Sequence, residues 1–467
     1  TEHLVSDGIY VSTEEQKDGY QVLVYVETSQ AAGTEVQCNL EGIEKKLPIR
    51  RDGDRAEFSF FLKNPKLWEP ETPNLYMITV RLYKKGKLLE EEHVNFGCRT
   101  IETDPQQGFL LNHKKRKLKG VCLHHNLGAL GSAVKKDAIK RQLTLMKVMG
   151  ADAIRTAHNM PAVELMELAD EMGFLIVSEA FDCWERPKNP YDYADADFRK
   201  NWQQDLRAMV LKNYNHPSVI MNSIGNEISE LALPEGQEYC RKMAEFVRSI
   251  DPSTPVTLGV NLMLCSMTAK GGGIYGDKKD KKGKKKENQN GSQTMDNAPT
   301  STFFNMLMNI AGGMIEKMAA KPAADKASEE AFASLDIGGY NYAASRYEID
   351  KDLHPNRVIV GSETLPKNLY KNWQLVKKLP YVIGDFMWTG WDYLGEAGIG
   401  TVRYKSFKKP GNDAPIISGG CGVIDICGKI RPEVQWNKLI WGLTNTTGIG
   451  VEPLTHAGDL GSVSMWR

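Results

Sequence analysis

The residues best able to do chemistry in this sequence are carboxylates, imidazoles and aromatic side chains that follow short apolar runs. The runs are of strand length and rich in Val, Ile and Leu, as in parallel strands buried on both faces. Because the carboxyl ends of such strands meet at the mouth of a barrel, we expect these side chains to come together there. In chain order they are His124, His125, Arg155, His158, Glu179, Asp182, Asn226, Glu227, Asn261, Asn341, Tyr342, Glu363, Trp388, Trp391 and Asp392.

This set is rich in carboxylates and aromatic rings and poor in nucleophilic serine or cysteine. Two opposed carboxyl groups can cleave a glycosidic bond, because one protonates the leaving oxygen while the other attacks the sugar or activates water. Metal-assisted hydrolysis is the rival chemistry, but the histidines lack the H-x-H and H-E-x-x-H spacings that would favour it. A purely structural set of ion pairs is a further alternative, which so many populated strand ends disfavour.

The elements that must position these residues are eight apolar runs that alternate with amphipathic helical stretches. One such helix has Pro161 near its start and Gly173 at its end, which are ordinary helix boundary signals. Eight strand–helix units predict a closed (β/α)8 TIM barrel. A doubly wound open sheet is the alternative, but its glycine-rich phosphate turn is absent. The predicted strands are Lys117–His124, Ala151–His158, Phe174–Phe181, Val219–Glu227, Pro255–Asn261, Leu335–Tyr342, Arg357–Thr364 and Val382–Tyr393.

Residues 1–100 have a different pattern, with short alternating runs separated by Gly, Asp, Asn and Pro. About seven strands in this length are typical of a β-sandwich. We therefore expect a sandwich over 1–100, a barrel over 101–446, and the start of a further C-terminal β-domain or a tail over 447–467.

The fifth barrel connection, about 262–334, is far longer than barrel loops usually are. It holds the lysine-rich run 277–287, which we interpret as a solvated loop, with an anionic partner or a subunit interface as alternatives. A stretch rich in Phe and Met follows over 302–317. We expect it to form a helix that packs on the barrel or on a neighbouring subunit, with the apolar residues Phe303, Met306, Met308 and Ile310.

Composition excludes several classes of protein. The 467 residues are 41% hydrophobic and 25% charged, as in a soluble globular protein of two to four domains. Lysine plus arginine and aspartate plus glutamate both number 59, so nothing favours a nucleic-acid or anionic-membrane partner. No run approaches the ~20 apolar residues of a membrane span, and the first thirty residues lack the apolar centre of a signal peptide.

The cysteine pattern points to a reducing compartment. Eight cysteines are scattered with no C-x-x-C pair, which disfavours a disulfide framework or a structural zinc site. We expect reduced, mostly buried thiols in a cytoplasmic protein. The chain begins at Thr1 and ends at Arg467 inside a strand-like pattern, so we expect a piece of a longer protein.

Five segments resemble motifs of glycoside hydrolase family 2, the β-galactosidase and β-glucuronidase group. The resemblance covers essentially the whole chain and implies an immunoglobulin-like β-sandwich followed by a TIM barrel. Ala157 stands where the family commonly has serine. The segments are Gly120–Gly128 (GVCLHHNLG), Ile154–Met160 (IRTAHNM), Asn215–Glu227 (NHPSVIMNSIGNE), Gly361–Thr364 (GSET) and Phe386–Gly395 (FMWTGWDYLG).

The resemblance implies a retaining mechanism, with Glu227 as the general acid/base and Glu363 as the nucleophile. Asn226 would then hold the sugar 2-hydroxyl, and Tyr342 would lie beside the nucleophile. The negative charge of Glu363 is expected to raise the pKa of Glu227, which must be protonated before attack.

The resemblance also assigns substrate contacts around this pair. His124 and His158 would contact sugar hydroxyls or the transition state, and Trp388 would form a stacking wall. Arg155 would pair with a catalytic carboxylate and lower its pKa. No cofactor is implied, and relatives suggest a homo-oligomer.

Three departures from the family pattern refine the expectation. The Asn-x-Lys pair by which β-glucuronidases bind the sugar carboxylate is absent between Gly398 and Trp441, which favours a neutral sugar, galactose first. A β-glucuronidase or β-galacturonidase is the alternative, with Arg403 or a nearby lysine (Lys405, Lys408, Lys409) binding the acid. The segment 181–187 lacks the histidine of the magnesium sites in some large β-galactosidases, so we expect no metal. The family's N-terminal jelly roll is also missing.

From a different class of protein, a non-catalytic carbohydrate-binding protein is a remote alternative. It is expected to have lost one of the two carboxylates, whereas both Glu227 and Glu363 are present here.

Overall fold

The computed structural model describes residues 2–49, 54–189, 191–271, 313–401, 403–404, 416–449 and 461–462. Of the pairs 403–404 and 461–462 it describes the backbone only. The lysine-rich run 277–287 and the predicted helix around Phe303 and Ile310 lie outside these ranges. So do Lys405, Lys408 and Lys409.

The N-terminal region is a sandwich of two antiparallel sheets, as predicted. One sheet has the order β1-β2-β5 and the other β4-β3-β8-β9. Along β2, Tyr20, Val22, Val24 and Val26 are buried and alternate with partly exposed residues, so one face of the strand builds the sandwich core. The strands are β1 (His3–Gln16), β2 (Gly19–Ser29), β3 (Glu35–Leu40), β4 (Ile43–Pro48), β5 (Arg55–Lys63), β6 (Trp68–Glu69), β7 (Thr72–Pro73), β8 (Tyr76–Lys84) and β9 (Lys87–Phe96).

A small antiparallel sheet joins the sandwich to the barrel. It consists of β10 (Ile101–Asp104), β11 (Gly108–Leu111) and β12 (Lys114–Arg116). Phe109 and Leu111 are buried in the same apolar cluster as residues of the barrel strands. A Cβ on Gly108 would lie 2.5 Å from Pro380 O, just before the last barrel strand begins, so this sheet packs against the amino-terminal end of the barrel and leaves the opposite end for a site.

The eight predicted barrel strands are confirmed, and they pair in parallel into a closed barrel in chain order. The last strand ends at Met387 rather than Tyr393, because Asp392 N–H bonds Ile424 O and Gly419 N–H bonds Tyr393 O, which fold this segment into a loop. The strands are β13 (Leu118–Leu123), β14 (Ala153–Thr156), β15 (Leu175–Glu179), β16 (Val219–Asn226), β17 (Val256–Val260), β18 (Ile337–Asn341), β19 (Ile359–Thr364) and β20 (Val382–Met387).

Helices cover the outer face of the barrel. The helix predicted between Pro161 and Gly173 is confirmed, and Gly173 ends it with φ of +70°. A Cβ there would lie 2.2 Å from Pro70 O, so the sandwich approaches this helix end closely. The helices are α1 (Lys136–Met149), α2 (Val163–Met172), α3 (Ala196–Asn213), α4 (Pro234–Ile250), α5 (Leu262–Ala269), α6 (Met314–Ala319), α7 (Pro322–Ala333), α8 (Tyr347–Leu353), α9 (Leu369–Lys378) and α10 (Glu433–Ile440).

Short elements complete the described structure. Strands β21 (Arg403–Tyr404) and β22 (Gly461–Ser462) pair antiparallel. Among the described helices, none is long and apolar enough to cross a bilayer. All eight cysteines are free, and seven are buried while Cys427 is exposed. The division of the chain at residues 100 and 446 stays a prediction.

A buried carboxyl group on β20 predicts a pH dependence of stability. Asp385 is 1% exposed, and its partners are the neutral side chains of Thr364 (3.1 Å) and Asn372 (3.4 Å). Burial raises the pKa of Asp385 to about 7 from the ordinary 3.8. The folded protein therefore binds this proton more tightly than the unfolded chain does. As the pH rises from 3.8 to about 7, the contribution of Asp385 to the free energy of unfolding falls.

We expect Asp385→Asn to remove this fall. The melting temperature of the variant, relative to wild type, should rise as the pH goes from about 4 to about 7 and then level off. Thermal unfolding monitored by circular dichroism at several pH values measures the difference. Asp137→Asn, at an exposed position on α1, controls for loss of one charge. A difference for Asp385→Asn that is constant with pH would contradict a carboxyl protonated in the folded protein.

Candidate active site

The carboxyl-terminal ends of β13–β20 form a mouth in which one contact network contains all eight predicted site residues. These residues come from six different strands or from the turns that follow them, so the closed barrel brings distant parts of the sequence together. They are His124, Arg155, His158, Asn226, Glu227, Tyr342, Glu363 and Trp388.

Arg155 lies at the centre of the network and is 1% exposed. Its Nε and one terminal nitrogen bind both oxygens of Glu179 at 2.9 Å. The other terminal nitrogen binds Glu363 Oε2 at 2.9 Å and Ser362 O at 3.1 Å. Asn226 Oδ1 accepts a further bond at 2.8 Å. Burial works to lower the pKa of Arg155, but Glu179 and Glu363 outweigh it, so the net pKa is raised and the guanidinium stays charged.

Glu227 and Glu363 face each other across the mouth, and one amide group contacts both. Asn341 Nδ2 lies 3.2 Å from Glu227 Oε1 and 3.3 Å from Glu363 Oε2. Asn261 Nδ2 donates to Glu227 at 2.8 Å, and the Tyr342 hydroxyl donates to Glu363. Burial, and then the charge of Glu363, raise the pKa of Glu227. The expected effect of Glu363 is therefore present, but burial is the larger cause.

Two of these residues have strained backbones. Glu227 has φ of +47° and Tyr342 has φ of +53°, both in the left-handed region that non-glycine residues seldom occupy. Such conformations cost on the order of 1–3 kcal/mol and persist where the surrounding contacts enforce them. In each case the strained residue directly follows a barrel strand, and the turn aims its side chain across the mouth.

A wall of rings lies beside the carboxylates. Trp388 stacks on His158 with centroids 5.1 Å apart and an interplanar angle of 9°. His124 contacts Trp388 at 5.1 Å and Tyr393 at 4.3 Å. Burial, helped by His158, lowers the pKa of His124 to about 3, so this imidazole is neutral. Asp182 and Glu179 outweigh burial at His158 and raise its pKa.

Other residues of the sequence-predicted mouth have structural roles. His125 bonds Ser132 O at 2.9 Å. Trp391 is buried in the outer core with Arg141 over its ring. Asp392 pairs with Arg431 at 3.3 Å.

Sequence reasoning gave no role to four polar residues of this site. Glu179 and Asn341 end barrel strands, so their position signalled the mouth but not their hydrogen-bond partners. Lys188 and Glu396 lie on loops: the sequence placed Glu396 at the mouth, shortly after the eighth predicted strand, whereas neither strand period nor a motif marks Lys188. Lys188 is 5% exposed and donates to Asp182, and Glu396 accepts a hydrogen bond from Tyr393.

A possible set of metal ligands lies elsewhere. In the described part of the chain, Asp325, Asp350 and His354 could offer ligand atoms within 4.8 Å of one another. Arg346 bonds both of these carboxylates, and its guanidinium therefore already supplies the positive charge. We interpret the group as an ion-pair cluster.

Comparison with known proteins identifies the family. The family model described as "Glycosyl hydrolases family 2, TIM barrel domain" matches residues 103–306, and "Glycosyl hydrolases family 2" matches residues 8–99. Together the two matches cover more than half of the chain. The chain belongs to glycosyl hydrolase family 2.

Individual relatives agree with this assignment. Beta-galactosidase BoGH2A of Bacteroides ovatus is 32% identical over 372 residues, which cover 72% of this chain and 41% of that protein. A putative beta-glucuronidase of Formosa agariphila is 31% identical over 345 residues, covering 72% of this chain and 31% of that protein. The chain thus spans less than half the length of these relatives.

A solved structure supports the fold. The crystal structure of a glycosyl hydrolase family 2 member from Bacteroides cellulosilyticus superposes with a TM-score of 0.73 and is 30% identical. The match covers 94% of this chain and 50% of that one.

The central role of Arg155 predicts a large stability effect. Replacing it by methionine leaves buried Glu179 and Glu363 without their cation, which should lower the free energy of unfolding by about 3–5 kcal/mol. Urea unfolding followed by tryptophan fluorescence measures this for the barrel, since Trp68 is the only tryptophan before residue 100.

Arg116→Met is the matched control for this test. Arg116 also bonds two carboxylates, those of Glu71 and Asp152, but near the other end of the barrel, and its side chain is 19% exposed. Because Arg116 is less buried than Arg155, we expect a smaller loss there than in Arg155→Met. Equal losses in the two variants would contradict the proposed weight of the buried network.

Proposed function

We propose that this chain carries the catalytic barrel of a retaining exo-β-glycosidase, with Glu227 as acid/base and Glu363 as nucleophile. The observation that carries the proposal is the bridge from Asn341 to both carboxylates. Asn341 Nδ2 lies 3.2 Å from Glu227 Oε1 and 3.3 Å from Glu363 Oε2, so these two oxygens can be at most about 6.5 Å apart. That limit is compatible with the ~5–5.5 Å of retaining enzymes and does not exceed the lower end of the ~6.5–9.5 Å of inverting ones.

In the first step, a carboxylate oxygen of Glu363 bonds to the anomeric carbon of the sugar as the glycosidic C–O bond breaks. The proton of Glu227 passes to the leaving oxygen, so the aglycone departs as a neutral alcohol. The product is a glycosyl ester of Glu363 with the opposite anomeric configuration.

In the second step, Glu227 accepts a proton from water, whose oxygen attacks the anomeric carbon and releases Glu363. Two inversions restore the β configuration. Since ester formation consumes the charge of Glu363, one of the causes that raise the pKa of Glu227 is lost, and Glu227 becomes able to act as a base.

The remaining residues support these steps. Arg155 and Tyr342 donate hydrogen bonds to Glu363 and orient it. We assign Asn226 to the 2-hydroxyl of the sugar, whose bond strengthens as positive charge develops on the ring. His124 and His158 would bind hydroxyls, and Trp388 would stack on the sugar face.

Electrostatics favours a neutral sugar, a β-galactoside first. Lys188 and His158 outweigh burial at Asp182 and lower its pKa, so it is a charged carboxylate in the mouth and would repel a uronic acid. Glu396, whose pKa is raised chiefly by burial, adds a further carboxyl group beside the mouth, where it accepts a hydrogen bond from Tyr393. Lys188 Nζ pairs with Asp182 at 2.7 Å and bonds the main-chain oxygen of Asn226, so this cation is directed at protein groups rather than at a sugar carboxylate.

A β-glucuronidase or β-galacturonidase is the second candidate. Relatives bear both kinds of name, since a beta-glucuronidase of Bacteroides fragilis is 30% identical over 237 residues. Its discriminating feature is a cation within reach of the sugar C6. Arg403 and the lysines that follow it are the candidates in the sequence.

Hydrolysis of a panel of nitrophenyl β-glycosides tests the proposal, with galactoside and glucuronide side by side. We expect release from the galactoside and at least ~10⁴-fold less from Glu363→Gln, which lacks the nucleophile. Preference for the glucuronide would overturn the sugar assignment and keep the mechanism. Binding of galactose without turnover would favour a non-catalytic carbohydrate-binding protein.

The raised pKa of Glu227 predicts the alkaline side of the pH profile. Because Glu227 must be protonated in the first step, kcat/KM should fall as the pH rises through that pKa. Glu227→Gln should abolish this limb for dinitrophenyl galactoside, whose good leaving group needs no acid. A limb that persists unchanged in this variant would contradict the acid role.

A homo-oligomeric state, a cytoplasmic location and the absence of a cofactor or metal stay predictions. So do the roles of individual site residues.

A further inference from the structure

Lys188 brings a buried ammonium group into the mouth. It lies on the loop between β15 and α3, and only 5% of the residue is exposed. Its Nζ donates to Asp182 Oδ1 at 2.7 Å and to the main-chain oxygen of Asn226 at 3.0 Å. The second bond holds the peptide group that joins Asn226 to Glu227.

The loop is built to hold this lysine in place. The N–H groups of Lys188 and Asn189 both donate to Asp192 Oδ2, at 2.8 Å and 2.7 Å. Asp195 N–H bonds Trp184 O at 3.1 Å, which closes the loop at its base. Asp192 fixes the backbone of Lys188, and Asp182 and Asn226 fix its ammonium group. The side chain of Lys188 is therefore held in one orientation.

The peptide group that Lys188 bonds directly precedes the strained backbone of Glu227. Glu227 follows directly and has φ of +47°, and its N–H donates to Gly259 O at 2.7 Å. The Asn226 carbonyl, on the other side of the turn, is held by Lys188. Lysine and strand β17 therefore fix the turn from opposite sides.

We propose that Lys188 is a positioning residue for Glu227, whose ammonium group both anchors the Asn226 carbonyl and supplies a fixed positive charge on the acid/base side of the mouth. This inference rests on the acid/base role proposed above for Glu227. It assigns to Lys188 a part in setting the pH range of the reaction, distinct from any contact with the sugar.

The charges around Glu227 support this assignment. Glu363 on β19 and burial raise the pKa of Glu227, while Lys188 lowers it. Tyr342 and Cys265 also interact with Glu227, and both have raised pKa values and stay neutral. The amides of Asn261 and Asn341 donate to it but carry no charge. Asp182 and Asp192, which face Lys188, complete the set.

The test is the pH profile of kcat/KM for nitrophenyl β-galactoside. In Lys188→Met the alkaline limb should move up by about 0.5–1 pH unit, because removal of the cation makes Glu227 harder to ionise. Lys188→Arg keeps the charge and should restore the wild-type limb. If Lys188→Met fails to fold, Lys188→Gln takes its place, because it keeps a hydrogen-bond donor for the Asn226 carbonyl without the charge. Its alkaline limb should move up by the same amount as expected for Lys188→Met.

Lys117→Met is the matched control. Lys117 also donates to main-chain carbonyls, those of Leu379, Pro380 and Val382, but at the amino-terminal end of the barrel. Its loss should lower stability and leave the alkaline limb in place. An unshifted limb in Lys188→Met, or an equal shift in Lys188→Arg, would overturn the proposal.

A readout independent of activity separates the two hypotheses. In protein labelled with ¹³C at glutamate carboxyl groups, the Glu227 resonance is assigned from Glu227→Gln and titrated in wild type and Lys188→Met. An upward shift in an inactive protein would support the Lys188 inference and refute the proposed function. Activity without a shift would do the reverse.

Discussion

The mouth of this barrel depends on one buried guanidinium. Arg155 on β14 binds Glu179 on β15, Asn226 on β16 and Glu363 on β19, so a single side chain ties four strands together. Removing these charges from water costs several kcal/mol per ion, and the cost is offset only when each charge has its partners. The buried charged groups of the mouth therefore stabilise one another, and loss of one leaves its partners buried without a counter-charge.

The same network gives the two facing glutamates different environments. Glu363 lies beside a permanent cation and accepts a hydrogen bond from Tyr342. Glu227 has amide partners, and burial raises its pKa. Burial thus favours the protonated form of Glu227, which the proposed acid needs, while Glu363 has the hydrogen-bond partners that would orient a nucleophile. Arg155 is shared between two carboxylates, since it also binds Glu179. Its positive charge is therefore not spent on Glu363 alone.

The fold could be predicted because its strands are continuous apolar runs, and the helix that ends at Gly173 carries its own boundary signal. That the predicted site residues lie together could be foreseen, because strand ends converge in any closed barrel. What failed was local: β20 ends at Met387 although the apolar and aromatic pattern continues, because the loop pairs with residues near Ile424. Lys188 could not be found, since its position depends on how a loop folds around Asp192, and no periodicity records that.

The charges of the mouth also fit the transition state that we propose. Among the side chains that the structure describes, the carboxyl groups of the mouth are those of Glu179, Asp182, Glu227, Glu363 and Glu396, and the permanent cations that bind carboxylates there are Arg155 and Lys188. Arg155 and Lys188 each bind a carboxylate and a main-chain carbonyl, which directs both cations at protein groups. A glycosyl ring gains positive charge as its bond to the aglycone breaks, and fixed negative charges stabilise that state more than the neutral ground state. The same carboxylates would disfavour a sugar that already carries a carboxylate, so the proposed reaction and the proposed neutral substrate rest on one set of charges.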